Sequence, residues 1–389
     1  MVRVALLAIA LGTGRVAASA NAGVGLWGPS HQARATIQAG PEFTLTSSRG
    51  LVGGFVGYGG QLNQHVYANI SGPPSGLPDL EAKVLALQPQ FVRVFFNTSE
   101  WQFPDRMLSF VRTVGLAQRT QAQINITWQG SSFAFAMANM PRFADVLADL
   151  LTKGGLSSLW MTLFNEPNST RLTLSQYEQV CRSLDDELRN RGVRDRVHFM
   201  GGDLVGTTSP LGQTQLDWFQ YMASHMGDLL DAWSVHVYWN FWDSGKIDRR
   251  LRAEVRTIFS TIPAPERRPL YVTEFGVRGV ATFEGETNFS PGLWPNGTAI
   301  EQTTTAAFQE AWFMIRAAQL GFAATAKWDV YAAKYDAGTQ DYSAIGLGAA
   351  GWPLRPVYRV LQLLTVRRSR AAVASSTSSP TRTRIRRSS

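Results

Sequence analysis

Cysteine occurs once in the 389 residues, at Cys181. A single thiol excludes an intrachain disulfide framework and a cysteine-rich zinc site. Tyr177 and Leu184 flank it at helical spacing, which predicts an inert, buried thiol. Beyond the first residues, no apolar run approaches the roughly twenty residues that a membrane-spanning helix needs. Also missing are a Gly-x-Ser-x-Gly elbow, a His-Glu-x-x-His pair and a phosphate-binding lysine loop, which removes support for serine hydrolases, zinc proteases and nucleotide hydrolases. Gly23-x-Gly25-x-x-Gly28 and Gly346-x-Gly348-x-x-Gly351 have dinucleotide spacing but no strand-turn-helix setting with a suitably placed acid.

Acidic residues are absent from one stretch, and that absence places the charge. Residues 367–389 hold seven arginines and no acid, and account for most of the formal charge of +8. The body of the chain is near neutral, so the basic Ser/Thr/Arg-rich tail reads as a solvated, disordered appendage and no nucleic-acid partner is expected. Met1, Arg3, the apolar run Val4 to Leu11 and then Ala18-Ser19-Ala20 have the order of a secretory signal, which predicts residues 1–20 as a signal peptide and an extracellular location. Residues 21–50 form an irregular lead-in, and 51–366 one large domain. Asn-x-Ser/Thr sequons stand at Asn69, Asn97, Asn125, Asn168, Asn288 and Asn296; several near the expected cleft predict unused sites.

Within that domain, apolar runs suited to buried parallel strands alternate with amphipathic stretches. Strands are expected near 53–58, 91–96, 121–126, 159–164, 196–202, 232–238, 269–274 and 322–328. Helices are expected at 103–118, 141–153, 173–190, 213–227, 247–261, 298–320 and 354–365. Eightfold strand-helix alternation predicts an α/β fold, a (β/α)8 TIM barrel, with an open doubly wound sheet as the competitor.

Two glutamates follow strand-like runs: Glu166 in Leu163-Phe164-Asn165-Glu166-Pro167, and Glu274 in Tyr271-Val272-Thr273-Glu274-Phe275-Gly276. Splitting a glycosidic bond needs one carboxyl to protonate the leaving oxygen and another to attack or stabilise the anomeric carbon. Arg93, Asn165, His236, Tyr238 and Trp328 also fall at expected strand ends, facing the mouth where such barrels keep their active sites. Trp101, Trp128, Trp239, Trp242 and Trp294 fall in expected loops, where aromatic faces stack on sugar rings; Trp128 and Trp239 are taken into the substrate-binding set.

Residues 51–366 resemble the clan A retaining glycoside hydrolases, which include family 5 cellulases and mannanases and family 39. The resemblance rests on Asn165-Glu166-Pro167 after strand four, Glu274-Phe275-Gly276 after strand seven, His236-Val237-Tyr238, Trp328 and the turn from Gly346 to Pro356-Val357-Tyr358. It implies Glu166 as acid/base and Glu274 as nucleophile. It further implies Asn165 on the sugar 2-hydroxyl, Tyr238 and Arg93 on the nucleophile, and Trp328 as an aromatic floor. Neither cofactor nor metal is needed by that chemistry. Thr127-Trp128-Gln129 departs from the histidine usual after strand three of family 5, and Thr162 from the usual polar residue before Asn-Glu-Pro. A carbohydrate substrate follows; a binding barrel without turnover and a transglycosylase with the same glutamates are the alternatives. Sugar, linkage and oligomeric state are not written in the sequence.

Overall fold

The computed structural model describes residues 2–5, 42–45, 54–68, 75–97, 100–130, 132–206, 208–278, 300–331 and 342–365. The chain divides into two units, Met1–Ser48 and Arg49–Ser389. In the first, Val2–Ala5 pairs antiparallel with Glu42–Leu45, a ribbon inside the stretches expected to be signal and lead-in.

In the second unit, eight parallel strands close into a barrel: β1 Gly57–Leu62, β2 Phe91–Asn97, β3 Gln123–Gln129, β4 Leu159–Leu163, β5 Val197–Leu204, β6 Ala232–Asn240, β7 Leu270–Arg278 and β8 Ala324–Lys327. β8 pairs with β1, so no edge is left open. The helices are α1 Leu77–Leu87, α2 Pro104–Arg119, α3 Phe133–Thr152, α4 Leu174–Asn190, α5 Gln215–His225, α6 Gly245–Thr261 and α7 Thr304–Leu320, with α8 over 356–365. No helix among the described residues is long and apolar enough to cross a membrane.

Three differences from expectation have local causes. β1 lies four residues later than expected because its run, Gly-Tyr-Gly-Gly-Gln-Leu, is poor in strand formers. Those glycines are needed: a Cβ on Gly59 would stand 1.7 Å from the Phe91 carbonyl oxygen. α1 was not expected; Leu80, Val84 and Leu87 form its buried stripe, behind a proline in the first turn. α3 begins at Phe133, well before the expected start at Pro141, because the Ser132 side chain caps it by accepting from Phe135 N at 3.2 Å.

The barrel interior is stratified. Phe91, Met200, Ala232, Tyr271, Ala323, Ala324 and Ala326 form an apolar plug near the strand N-termini. Above it lies a layer of hydrogen-bonded polar side chains, open toward the C-terminal mouth. Outside the strands, Lys327 of β8 is buried with its Nζ 2.7 Å from Glu310 Oε1 of α7 and 3.3 Å from Glu301 Oε2, which ties the last strand to its helix. Cys181 is buried in α4, and burial pushes its thiol far above the ordinary range, consistent with an unreactive group.

Candidate active site

The polar layer is organised around Arg93, which projects from β2 and is fully buried. Its five N–H groups all have acceptors. Nε donates to Thr127 Oγ1 at 2.9 Å, Nη1 to Glu274 Oε2 at 2.7 Å and to Gln61 Oε1 at 3.3 Å, and Nη2 to Asp203 Oδ2 at 2.6 Å and to Asn165 Oδ1 at 2.8 Å. Side chains from four other strands and the loop after β4 therefore converge on one guanidinium. Burial alone would make that cation less stable, but the Asp203 and Glu274 carboxylates hold it charged. Thr127 is itself positioned: it donates to Asn125 Oδ1 at 3.1 Å, and Asn125 donates to Thr162 Oγ1 at 3.0 Å. The two departures from the family pattern, Thr127 and Thr162, are thus supports beneath Arg93.

Glu274 reaches this layer through a bulge. β7 has one more residue between Val272 and Phe275 than β8 has between Thr325 and Lys327, and its register with β6 shifts at the same place. A bulge lets two consecutive side chains face the interior. Thr273 consequently donates to Asp203 Oδ1 at 2.5 Å while Glu274 meets Arg93. The other Glu274 oxygen, Oε1, accepts from Tyr238 Oη at 2.5 Å.

Glu166 is presented by a turn that follows β4, in which Phe164 and Glu166 have φ of 63° and 52°. Each such left-handed non-glycine residue costs on the order of 1 kcal/mol or more, a strain found where a side chain must be aimed. The Glu166 carboxylate is buried, with Oε1 2.9 Å from His236 Nδ1. His236 also lies 3.7 Å from Glu274 Oε2 and, through Nε2, 3.6 Å from Asp203 Oδ1. Burial alone would lower its pKa, but Glu274 and Asp203 outweigh that and push it up to about 9. One oxygen from each of Glu166 and Glu274, with a His236 nitrogen, lie within 4.8 Å of one another. Three such donors could hold an ion by spacing alone, yet both Glu274 oxygens already accept from Tyr238 and Arg93, which leaves a cation little to replace.

Asn165, Tyr238 and Arg93 therefore stand where the sequence placed them, beside the two glutamates and His236. Trp328, directly after β8, is half-buried with its ring edge-on to Phe95 at 5.6 Å. Trp128 and Trp239 do not line the site. β3 and β6 extend further than expected, and alternation turns these rings outward, opposite Thr127 and Tyr238. Trp128 stacks on Phe143 of α3 at 4.6 Å, and Trp239 stacks on Phe313 of α7 at 5.0 Å with its indole N–H on Gln309. Both are fully buried packing residues. Trp101 is partly buried and stacked on Phe135, Trp242 is exposed, and Trp294 lies outside the described residues. Asn125 and Asn168 are wholly buried and hydrogen-bonded, so neither can carry a glycan in the folded chain; Asn69, Asn288 and Asn296 lie outside the described residues.

The sequence reading missed Asp203. It stands at the end of β5 with its carboxylate fully buried between Arg93, Ser234 and Thr273. Burial would raise its pKa, but Arg93 and His236 hold it well below the usual carboxylate range. The only hint in the sequence was an acid two glycines beyond the strand-like run Val197-His198-Phe199-Met200.

No protein-family model matches the chain, and no curated protein is significantly similar to it. Solved structures share its fold. A family 51 α-L-arabinofuranosidase from Bifidobacterium longum superposes with a TM-score of 0.53 at 11% identity, over 80% of this chain and 73% of that one. A fungal β-1,4-galactanase gives 0.53 at 13% identity, over 80% of this chain and 99% of that one. A β-glucuronidase from an uncultured Clostridium gives 0.50 at 11% identity, over 82% of this chain and 50% of that one. The resemblance read from the motifs thus holds at the level of the fold: the chain is a (β/α)8 barrel of the kind on which these glycosidases are built.

Proposed function

We propose that this protein is a secreted retaining glycoside hydrolase, with Glu274 as nucleophile and Glu166 as acid/base. The observation that carries the reading is the approach of the two carboxylates, with an oxygen of each within 4.8 Å of the other. Retaining enzymes hold their carboxyl groups about 5–5.5 Å apart, whereas inverting ones leave about 6.5–9.5 Å for a water between them. The surroundings differ in a way that suits two roles. Glu274 accepts from both Arg93 and Tyr238, whereas Glu166 meets His236.

In the first step, Glu274 attacks the anomeric carbon as the glycosidic bond breaks, and Glu166 gives its proton to the departing oxygen. Glu166, now a carboxylate, then takes a proton from water as the water oxygen attacks the same carbon and the Glu274 ester is released. Two displacements on one face of the sugar and then the other return the original anomer. Asn165 spends its Oδ1 on Arg93, so its amide N–H groups are the ones offered to a sugar hydroxyl. Trp328 offers an aromatic face at the mouth. The structural neighbours are named for different sugars, so the proposal covers the bond type and β-linked oligo- or polysaccharides as a class. A barrel that only binds carbohydrate would need neither carboxylate, and Glu274→Gln separates the two: turnover of aryl β-glycosides falls by about 10³-fold or more in an enzyme, while sugar binding by a lectin is unaffected.

A further inference from the structure

Asp203 is held in a distorted stretch of β5. The β5–β6 register slips between Gly201 and Leu204, Gly202 has φ of 118° and Asp203 has φ of 54°. A non-glycine residue in that region costs on the order of 1–3 kcal/mol and persists only where its surroundings demand it. Here the distortion brings a carboxylate under the reacting groups. Oδ2 accepts from Arg93 at 2.6 Å, and Oδ1 accepts from Ser234 at 2.7 Å and from Thr273 at 2.5 Å while facing His236 Nε2 at 3.6 Å. The Asp203 backbone N–H is also taken, by Ser234 Oγ at 2.7 Å.

We infer that Asp203 is a positioning residue of the reaction, the fixed anion that keeps the buried cluster of Arg93, His236, Glu166 and Glu274 electrically neutral through both displacements. The inference rests on the glycosidase reading above. Before attack, Arg93 and protonated His236 are balanced by Asp203 and ionised Glu274, with Glu166 neutral. In the covalent intermediate the Glu274 charge is gone, because its oxygen is in the ester, and Glu166 has become the carboxylate. Two cations again face two anions. Without Asp203 both stages carry one uncompensated positive charge in a water-poor interior, where an unpaired ion is costly.

Asp203 also divides the attention of Arg93. With one guanidinium shared between two carboxylates, Glu274 is oriented without the whole of that charge. If Asp203 becomes neutral, Arg93 serves Glu274 alone, and a carboxylate bound more strongly is a poorer nucleophile. His236 is faced by Glu166 from the turn after β4, Asp203 from β5 and Glu274 from β7, with Arg93 on the far side of the last two. Losing one of those anions leaves its imidazolium less stable.

The test is Asp203→Asn, which keeps shape and removes charge. Its kcat on an aryl β-glycoside is expected to fall between about tenfold and a hundredfold with little change in KM. The alkaline limb of the pH profile is expected to move down by about one unit, because a site with an extra positive charge loses protons at lower pH. A folded variant with an unshifted profile, or kcat within twofold of wild type, overturns the inference. A second measurement does not depend on the variant folding or on turnover: NMR titration of His236 in the wild-type protein. An imidazolium at pH 7 that loses its proton near pH 9 supports the inference, and a neutral imidazole at pH 7 overturns it. The two ideas fail separately: undiminished turnover by Glu274→Gln would refute Glu274 as nucleophile, whereas Glu274-dependent turnover with an unshifted Asp203→Asn profile would refute only the role of Asp203.

Discussion

Arg93 and His236 are buried basic groups, and carboxylates from other parts of the barrel raise the pKa of each. The folded pKa of His236, about 9, lies above its ordinary 6.5. Its contribution to stability is therefore complete below about pH 6.5 and is lost as pH rises through about 9. Asp203, shifted the other way, contributes above the ordinary carboxylate value of about 3.9 and loses that contribution as pH falls toward its depressed folded value. Urea unfolding of the wild type from pH 6 to 10 is expected to show a decline on the order of 3 kcal/mol, and His236→Gln to flatten it; equal slopes would contradict the assignment. Replacing Arg93 by Met leaves Asp203 and Glu274 buried without their cation. That is expected to cost about 3–5 kcal/mol of stability as well as activity, read from the unfolding midpoint.

The strands and their bulges explain which parts of the molecule could be read in advance. The recurrence of apolar runs between amphipathic stretches is the signal of buried parallel strands, and it located β2 through β8 to within a few residues. It also put Glu166, Glu274, Arg93, His236 and Tyr238 at one mouth. It failed where the backbone leaves regular geometry. The extra residue in β7 turns both Thr273 and Glu274 inward, and the slip in β5 does the same for Asp203, so no period-two pattern could have marked Asp203 as an interior acid. β1 was misplaced because close backbone approach demanded glycines that read as loop. The two tryptophans were misassigned because strand ends were set too short, which made wall residues look like loop residues. Trp239→Ala tests that correction: a buried indole lost from the β6–α7 contact is expected to cost about 3–5 kcal/mol and to leave KM for oligosaccharide unchanged, as measured by calorimetric melting and steady-state kinetics. A large rise in KM with undiminished stability would return Trp239 to the binding site.

Taken together, the barrel unit reads as a device that gathers charge from many parts of the chain onto one spot. Arg93 draws on β1, β3, β5, β7 and the turn after β4, and His236 on three of the same partners, so the site exists only when the barrel is closed. An apolar plug lies below and a polar layer above it. The fold alone does not set the substrate, since the neighbours in fold are named for different sugars. The account stands or falls on the chemistry of the bond. The most direct measurement is NMR of the first-formed product anomer during cleavage of β-linked oligosaccharides, run with wild type and Glu274→Gln in parallel. Glu274-dependent release of the β-anomer is the predicted result; release of the α-anomer, or cleavage that survives the substitution, would contradict it.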